Sequence, residues 1–182
     1  GAGRGRLQAG VGFDFESVPV SGAISGGRIA VMTTPAPSRD ACVELVEITS
    51  ANYREAFRLK VRPDQERFVA SNAVSIAQAH FHPESWFRLL VAGGTPVGFA
   101  MLEDWTALPD LAPADWKADP YVGLWRFMID QRYQRLGFGA KAIEALIAHA
   151  RTRPGARCMI LSFVPEEGSP EPFYRRFGFT PT

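Results

Sequence analysis
The chain has 182 residues, 46% hydrophobic and 21% charged, a composition that suits one soluble domain large enough to bury a real core. A formal net charge of +1 gives no broad basic surface of the kind nucleic-acid and membrane binders use, so neither partner is expected and any charged ligand must be recognised locally. The two cysteines, Cys42 and Cys158, lie far apart without metal or redox spacing. With no apolar stretch of membrane-spanning length and no signal-peptide core, free thiols in the cytoplasm are expected.

Residues 1–31 are rich in glycine and small side chains, and Met32 followed by Thr33-Thr34-Pro35-Ala36-Pro37 reads as a natural start and a short linker. Residues 1–42 are therefore taken as an extension, able to hold strands at Phe13–Val20 and Arg28–Thr33, and the domain proper as 43–182. Val43-Glu44-Leu45-Val46-Glu47-Ile48 alternates apolar and acidic residues, which predicts a half-buried strand. Thr49 or Ser50 is placed to cap a helix carrying Tyr53, Phe57 and Leu59. After Pro63, a second helix is expected from about Asp64 to His80, with Val69, Ala73, Ile76 and Ala77 on one face. Strands at Trp86–Val91 and Val97–Trp105 flank a hairpin turn at Gly93-Gly94, and the proline-rich stretch Thr106–Pro120 reads as a loop.

The most informative stretch runs from Leu124 to Arg151. An apolar run, Leu124 to Ile129, precedes Asp130-Gln131-Arg132-Tyr133 and then Gln134-Arg135-Leu136-Gly137-Phe138-Gly139. Ile143, Leu146, Ile147 and Ala150 then recur at helical spacing up to the stop at Pro154-Gly155. This is strand, turn and helix. The first amides of a helix lack intrahelical partners and the helix dipole favours negative charge there, so the glycine-rich turn is shaped to hold a phosphate. Arg132 and Arg135 add positive charge, and the Gln134 amide can donate. A further strand is expected at Ala156–Phe163, then a short helix before Phe177-Gly178-Phe179. The whole order predicts an α/β domain with a mixed sheet.

Gln134-x-x-Gly137-x-Gly139 after a hydrophobic strand resembles the acetyl-coenzyme A loop of the Gcn5-related N-acetyltransferase superfamily. Phe173-Tyr174-Arg175-Arg176-Phe177-Gly178-Phe179 is similar to that family's closing Leu-Tyr-x-x-x-Gly-Phe signature. Phe68-Val69-Ala70-Ser71-Asn72-Ala73, Ser75-Ile76-Ala77-Gln78 and Arg126-Phe127-Met128-Ile129-Asp130 look more narrowly like the bacterial spermine/spermidine acetyltransferase branch. The resemblance implies a mostly antiparallel sheet flanked by helices, acetyl-coenzyme A as co-substrate, and no metal. It places Phe127, Met128 and Ile129 along the pantetheine, Gln134, Arg135, Leu136, Gly137, Phe138, Gly139 and Ala140 around the pyrophosphate, and Tyr174 beside the thioester sulfur as its proton donor.

The acceptor it implies is a primary amine of a small polycation, a polyamine or an aminoglycoside antibiotic. A protein amino group, or a non-catalytic acyl-coenzyme A sensing domain, is the alternative. An ammonium must lose a proton before it attacks, so Glu103 and Asp104, at the end of the neighbouring strand, are taken as bases, with Asp130 more naturally a structural cap. Glu66, Glu84, Trp105 and Trp125 offer the acidic and aromatic surface a polycation needs. His80, His82 and His149 are given ordinary roles. The pattern departs from the family at Glu167 and Pro170, where asparagine and alanine are usual, and in stopping soon after Gly178-Phe179. A strand from Phe13–Val20 or Arg28–Thr33, of the same chain or of a second copy in a homodimer, is expected to cover the sheet edge this leaves.

Overall fold
The computed structural model describes residues 36–163, 165 and 168–180. The strands are β1 (Val43–Glu47), β2 (Ser85–Ala92), β3 (Thr95–Glu103), β4 (Tyr121–Ile129) and β5 (Cys158–Leu161). They form one sheet in the order β1-β2-β3-β4-β5, antiparallel except for the parallel β4–β5 pair. The helices are α1 (Tyr53–Arg58), α2 (Asn72–Ala79), α3 (Ala114–Ala118), α4 (Phe138–Arg151) and α5 (Glu171–Arg175).

The sheet divides the core into two layers. On one face α4 presents Phe138, Ile143 and Leu146 to Leu90, Ala100, Leu102 and Val122, all of them fully buried. This is the apolar stripe visible in the helical spacing, and the parallel β4–α4–β5 crossover is what requires a helix over this face. On the other face Ala56 and Leu59 pack with Leu89, Phe99, Met101 and Met128. The end of the expected extension joins the first layer, where Lys141 of α4 donates to the carbonyls of Arg39 (2.7 Å) and Ala41 (2.9 Å).

Several local expectations are corrected. The Asp64–His80 helix is broken into a 3-10 turn at Pro63–Gln65 and α2, because Ser71 takes extended backbone and its hydroxyl caps the Val74 amide. Asn72 is also drawn inward, donating its side-chain amide to the Ala56 carbonyl at 2.8 Å. Asn52, and neither Thr49 nor Ser50, stands at the start of α1; its side chain instead staples the turn, accepting from Thr49 N (2.7 Å) and donating to Glu47 O (2.8 Å). The expected loop at Thr106–Pro120 contains α3, begun by Pro113 and anchored by buried Trp116, which donates to the Tyr121 carbonyl at 2.8 Å. Trp105 leaves the strand for a 3-10 turn because the Asp104 side chain accepts from Thr106 N. The last strand is shorter than expected and pairs only with β4 among the described residues. Phe13–Val20, Arg28–Thr33 and Glu167 lie outside the described residues.

Candidate active site
β4 and β5 part company half-way. Their parallel pairing runs from Tyr121–Cys158 to Leu124–Leu161 and stops. On its other edge β4 stays with β3 as far as Ile129, so residues 125–129 keep one ladder and expose the other edge of the backbone. A bulge marks the split: Arg126 faces Met101 and Leu124 faces Leu102, leaving Trp125 as the extra residue. A cavity of about 1000 Å³ opens there, walled by residues 124–129, the turn before α4, Phe68 and Val69, and Phe173 and Tyr174. Met128 and Ile129 are almost wholly buried, and the Ile129 carbonyl is taken by Gln134 Nε2. Such a cleft, with one strand edge unpaired, suits an extended amide-containing chain that can take up the free N–H and C=O groups.

The turn at the floor of the cleft is built around Asp130, which is 1% exposed. Its carboxylate accepts from Lys60 N (2.9 Å), Arg132 N (3.0 Å) and Arg132 Nε (2.7 Å). Burial pushes its pKa up, but these hydrogen bonds to the charged form outweigh burial and leave it below the usual carboxylate range. Asp130 is thus the structural cap. Arg132 is spent on it, whereas Arg135 and Arg176 line the cleft without a side-chain partner among the described residues. Gln134 is also spent: Nε2 donates to Ile129 O (3.0 Å) and Gln65 Oε1 (2.7 Å), while Oε1 accepts from Arg62 (2.8 Å). It ties the turn to the Pro63–Gln65 segment rather than reaching for the anion.

Arg135 (φ 61°) and Gly137 (φ 92°) are both left-handed just before α4 begins, the kind of curled backbone from which anion-binding concavities are built. A Cβ on Gly137 would meet no atom within 4 Å, so glycine is required by its backbone angle alone. The side chains of Leu136 and Phe138 pack into the core, Phe138 completely, so these two positions contribute through their amides.

Tyr174 reaches the cleft from α5, whose start holds prolines at 170 and 172. Phe173 bridges the split by stacking on Phe127 (6.2 Å between centroids, 17°), and Tyr174 sits edge-on to Phe173 and Phe179. Burial pushes the Tyr174 hydroxyl up to about 12. It is therefore a protonated donor at neutral pH.

On the α1/α2 face, past the bulge, the β3 and β4 ends carry polar and aromatic groups. Glu103 lies opposite Gly123, and a Cβ there would come within 3.2 Å of its Oε2, so the glycine makes room for the carboxylate. Glu103 accepts from Trp105 Nε1 at 2.7 Å. Burial, followed by the nearby charges of Glu103 and Asp115, pushes the Tyr121 hydroxyl up. Buried Glu84 bonds His82 at 2.9 Å, and the His82 ring meets Trp125 edge-on at 4.9 Å. Arg126, folded back on the Trp125 carbonyl and Gln78, places one positive charge on the same face.

The family profile described as Acetyltransferase (GNAT) family matches residues 43–179. The chain belongs to the acetyltransferase (GNAT) family. Membership makes it an acetyl-coenzyme A-dependent N-acetyltransferase. Solved structures of similar fold include an acetyltransferase from Thermus thermophilus, at 18% identity and TM-score 0.54, covering 76% of this chain and 87% of that one. Aminoglycoside N-acetyltransferase AAC(6')-Iy in complex with CoA is 15% identical with a TM-score of 0.56 over 78% and 90%. A ribosomal-protein-alanine N-acetyltransferase from Brucella melitensis is 15% identical with a TM-score of 0.53 over 76% and 93%. At these identities the likeness is one of fold. A search of curated proteins found no match.

The cleft of this acetyltransferase suits acetyl-coenzyme A on its own geometry: an open strand edge for an amide-bearing arm, and left-handed turn amides with Arg135 for phosphates. Among the sequence-predicted site residues, Asp104 is corrected. Its carboxylate is 5% exposed and turned to the α4 side, where it pairs with Arg153 at 2.6 Å and accepts from Thr106, so it holds the end of α4 and has no access to an amine. Glu66 is likewise set apart, exposed after the 3-10 turn. Glu84, Trp105 and Trp125 do share a face with Glu103. Arg62 and Gln65 went unread in the sequence, since they meet Gln134 only across 72 and 69 positions. Among the described residues no cluster could hold a metal, and no helix is long and apolar enough to cross a membrane.

Proposed function
We propose that this acetyltransferase passes the acetyl group of acetyl-coenzyme A directly to a primary amine of a small polycation, a polyamine or an aminoglycoside. One observation carries the reading. Glu103 and the indoles of Trp105 and Trp125 lie on the face of β3 and β4 that adjoins the split, and buried Glu84 adds negative charge behind His82. Carboxylates within an aromatic wall attract multiply charged ammonium ligands through ion pairing and cation–π contact, and their low exposure strengthens both.

Direct transfer is supported by the lining of the cleft, where the described residues include no cysteine to carry an acyl group; Cys42 and Cys158 lie elsewhere. The amine attacks the carbonyl carbon, the C–S bond breaks, and the departing sulfur takes the bond's electron pair and the Tyr174 proton. A tyrosine at about 12 donates uphill to a free thiolate near 8.5, so transfer must accompany C–S cleavage, when the sulfur emerges into a site that disfavours its charge.

The experiment is thiol release from acetyl-coenzyme A with spermine, spermidine, several aminoglycosides and a lysine peptide as acceptors. Turnover with one or both polycation classes and little with the peptide is expected. Preference for the peptide would overturn the acceptor reading.

A further inference from the structure
Resting on the acceptor reading above, we propose that His82 is the base that removes the proton from the acceptor ammonium, with Glu84 as its positioning residue. His82-Pro83-Glu84 is a turn entering β2, closed by the Ser85 N–H donating to the His82 carbonyl at 2.9 Å. The proline between them fixes φ and removes one rotation. The Glu84 carbonyl is itself bonded by Asp104 N (2.9 Å), which fastens the turn to the end of β3. The pair is thereby preset by the chain.

The carboxylate of Glu84, 7% exposed, can only accept a hydrogen bond, so its 2.9 Å contact assigns the proton of neutral His82 to Nδ1. Nε2 is left with a lone pair on a side chain that is 45% exposed. This is the carboxylate–imidazole arrangement that orients a general base. Its location is what gives it a substrate. The ring stands edge-on against Trp125, the bulged residue at which β4 and β5 separate and the cleft begins. Other ionisable groups near this face include Glu103 of β3, Tyr121 and Arg126 of β4, and Asp115 of α3, whose charge reaches Tyr121. Glu103 already accepts from Trp105, which fits it to hold a distal ammonium.

In the step, His82 Nε2 takes one proton from the ammonium, directly or through one water. The freed lone pair forms the C–N bond; the C–S bond breaks with its electrons going to sulfur, which takes the Tyr174 proton. The proton shed by the new amide nitrogen returns to Tyr174, and His82 releases its own to solvent.

The test uses the full chain and the best acceptor from the amine panel, with kcat and kcat/KM followed from pH 5.5 to 9.5 in wild type, His82→Ala, His82→Gln and Glu84→Gln. Both His82 variants should lose about a hundredfold or more in kcat, with the dissociation constant for coenzyme A unchanged and the rising limb of the wild-type pH profile abolished. Added imidazole should restore part of the His82→Ala rate. Glu84→Gln should lower kcat less than the His82 variants do and keep the limb. Variants that keep kcat within threefold and retain the limb would overturn His82 as base while leaving the acceptor reading standing. A wild type that turns over no amine while binding the coenzyme would overturn both.

Discussion

Replacing Asp130 with alanine separates what the buried carboxylate does for the fold from what it does for the coenzyme. Its oxygens satisfy the amides of Lys60 and Arg132 and the Arg132 guanidinium. Without it two backbone N–H groups lose their acceptor, at about 1–3 kcal/mol each where water cannot reach them. Arg132 is 59% exposed and rehydrates, so its ion pair adds little. A loss of about 2–6 kcal/mol follows, against a domain stability of about 5–15 kcal/mol, so a domain of middling stability keeps its fold. Lys60 and Gln131 remain joined by the Gln131 N–H to Lys60 carbonyl bond at 2.8 Å, but the Arg132–Gly137 turn loses its anchor. Urea unfolding should therefore show a lower midpoint at unchanged m, and coenzyme A should bind about tenfold or more weakly. Because the folded carboxylate titrates below its unfolded value, its stabilisation is complete above about pH 4 and is lost as pH falls through the lower folded pKa. The acid limb of stability should accordingly flatten in Asp130→Asn. A loss below about 0.5 kcal/mol with unchanged coenzyme affinity would refute the reasoning.

Tyr174→Phe keeps the ring packed against Phe173 and Phe179 and removes only the donor, so kcat should fall about a hundredfold while coenzyme binding holds; unchanged turnover would remove Tyr174 as the acid. Gly137→Ala meets empty space but a φ of 92°, so calorimetry should show a backbone penalty of about 1–2 kcal/mol, expressed as weaker coenzyme binding if the turn relaxes. Asp104→Asn should lower the unfolding midpoint by weakening the buried contact with Arg153 and leave kcat within a few-fold; a large fall in kcat at full stability would reinstate it as a base.

Elements whose signals are local could be read from the chain alone. The apolar stripe of α4 and the Gly93-Gly94 hairpin each follow from a period or a turn that neighbouring residues dictate, and each stands in the structure, whereas β1 packs Val43 and Leu45 on one face and Val46 on the other. The turn before α4 was legible for the same reason, since the need for glycine at 137 is a property of one backbone angle. What failed locally failed to side chains with distant partners. Asn72 is drawn to Ala56, and Trp116 to Tyr121 through a helix inside a proline-rich loop.

The candidate site divides in the same way. Glu103 and Asp104 are adjacent in sequence and looked equivalent as bases; strand alternation sends one over Gly123 on the open face and the other under the sheet to Arg153. Gln134 and Arg132 looked like phosphate ligands until Gln65, Arg62 and Asp130 claimed them. His82 had no signal of its own, because its meaning lies in a carboxylate that is buried and an indole that a bulge pushes outward two strands later in the chain. Periodicity reports which face a residue occupies, whereas the partner waiting on that face is set by sheet register, and register is a property of the assembled strands.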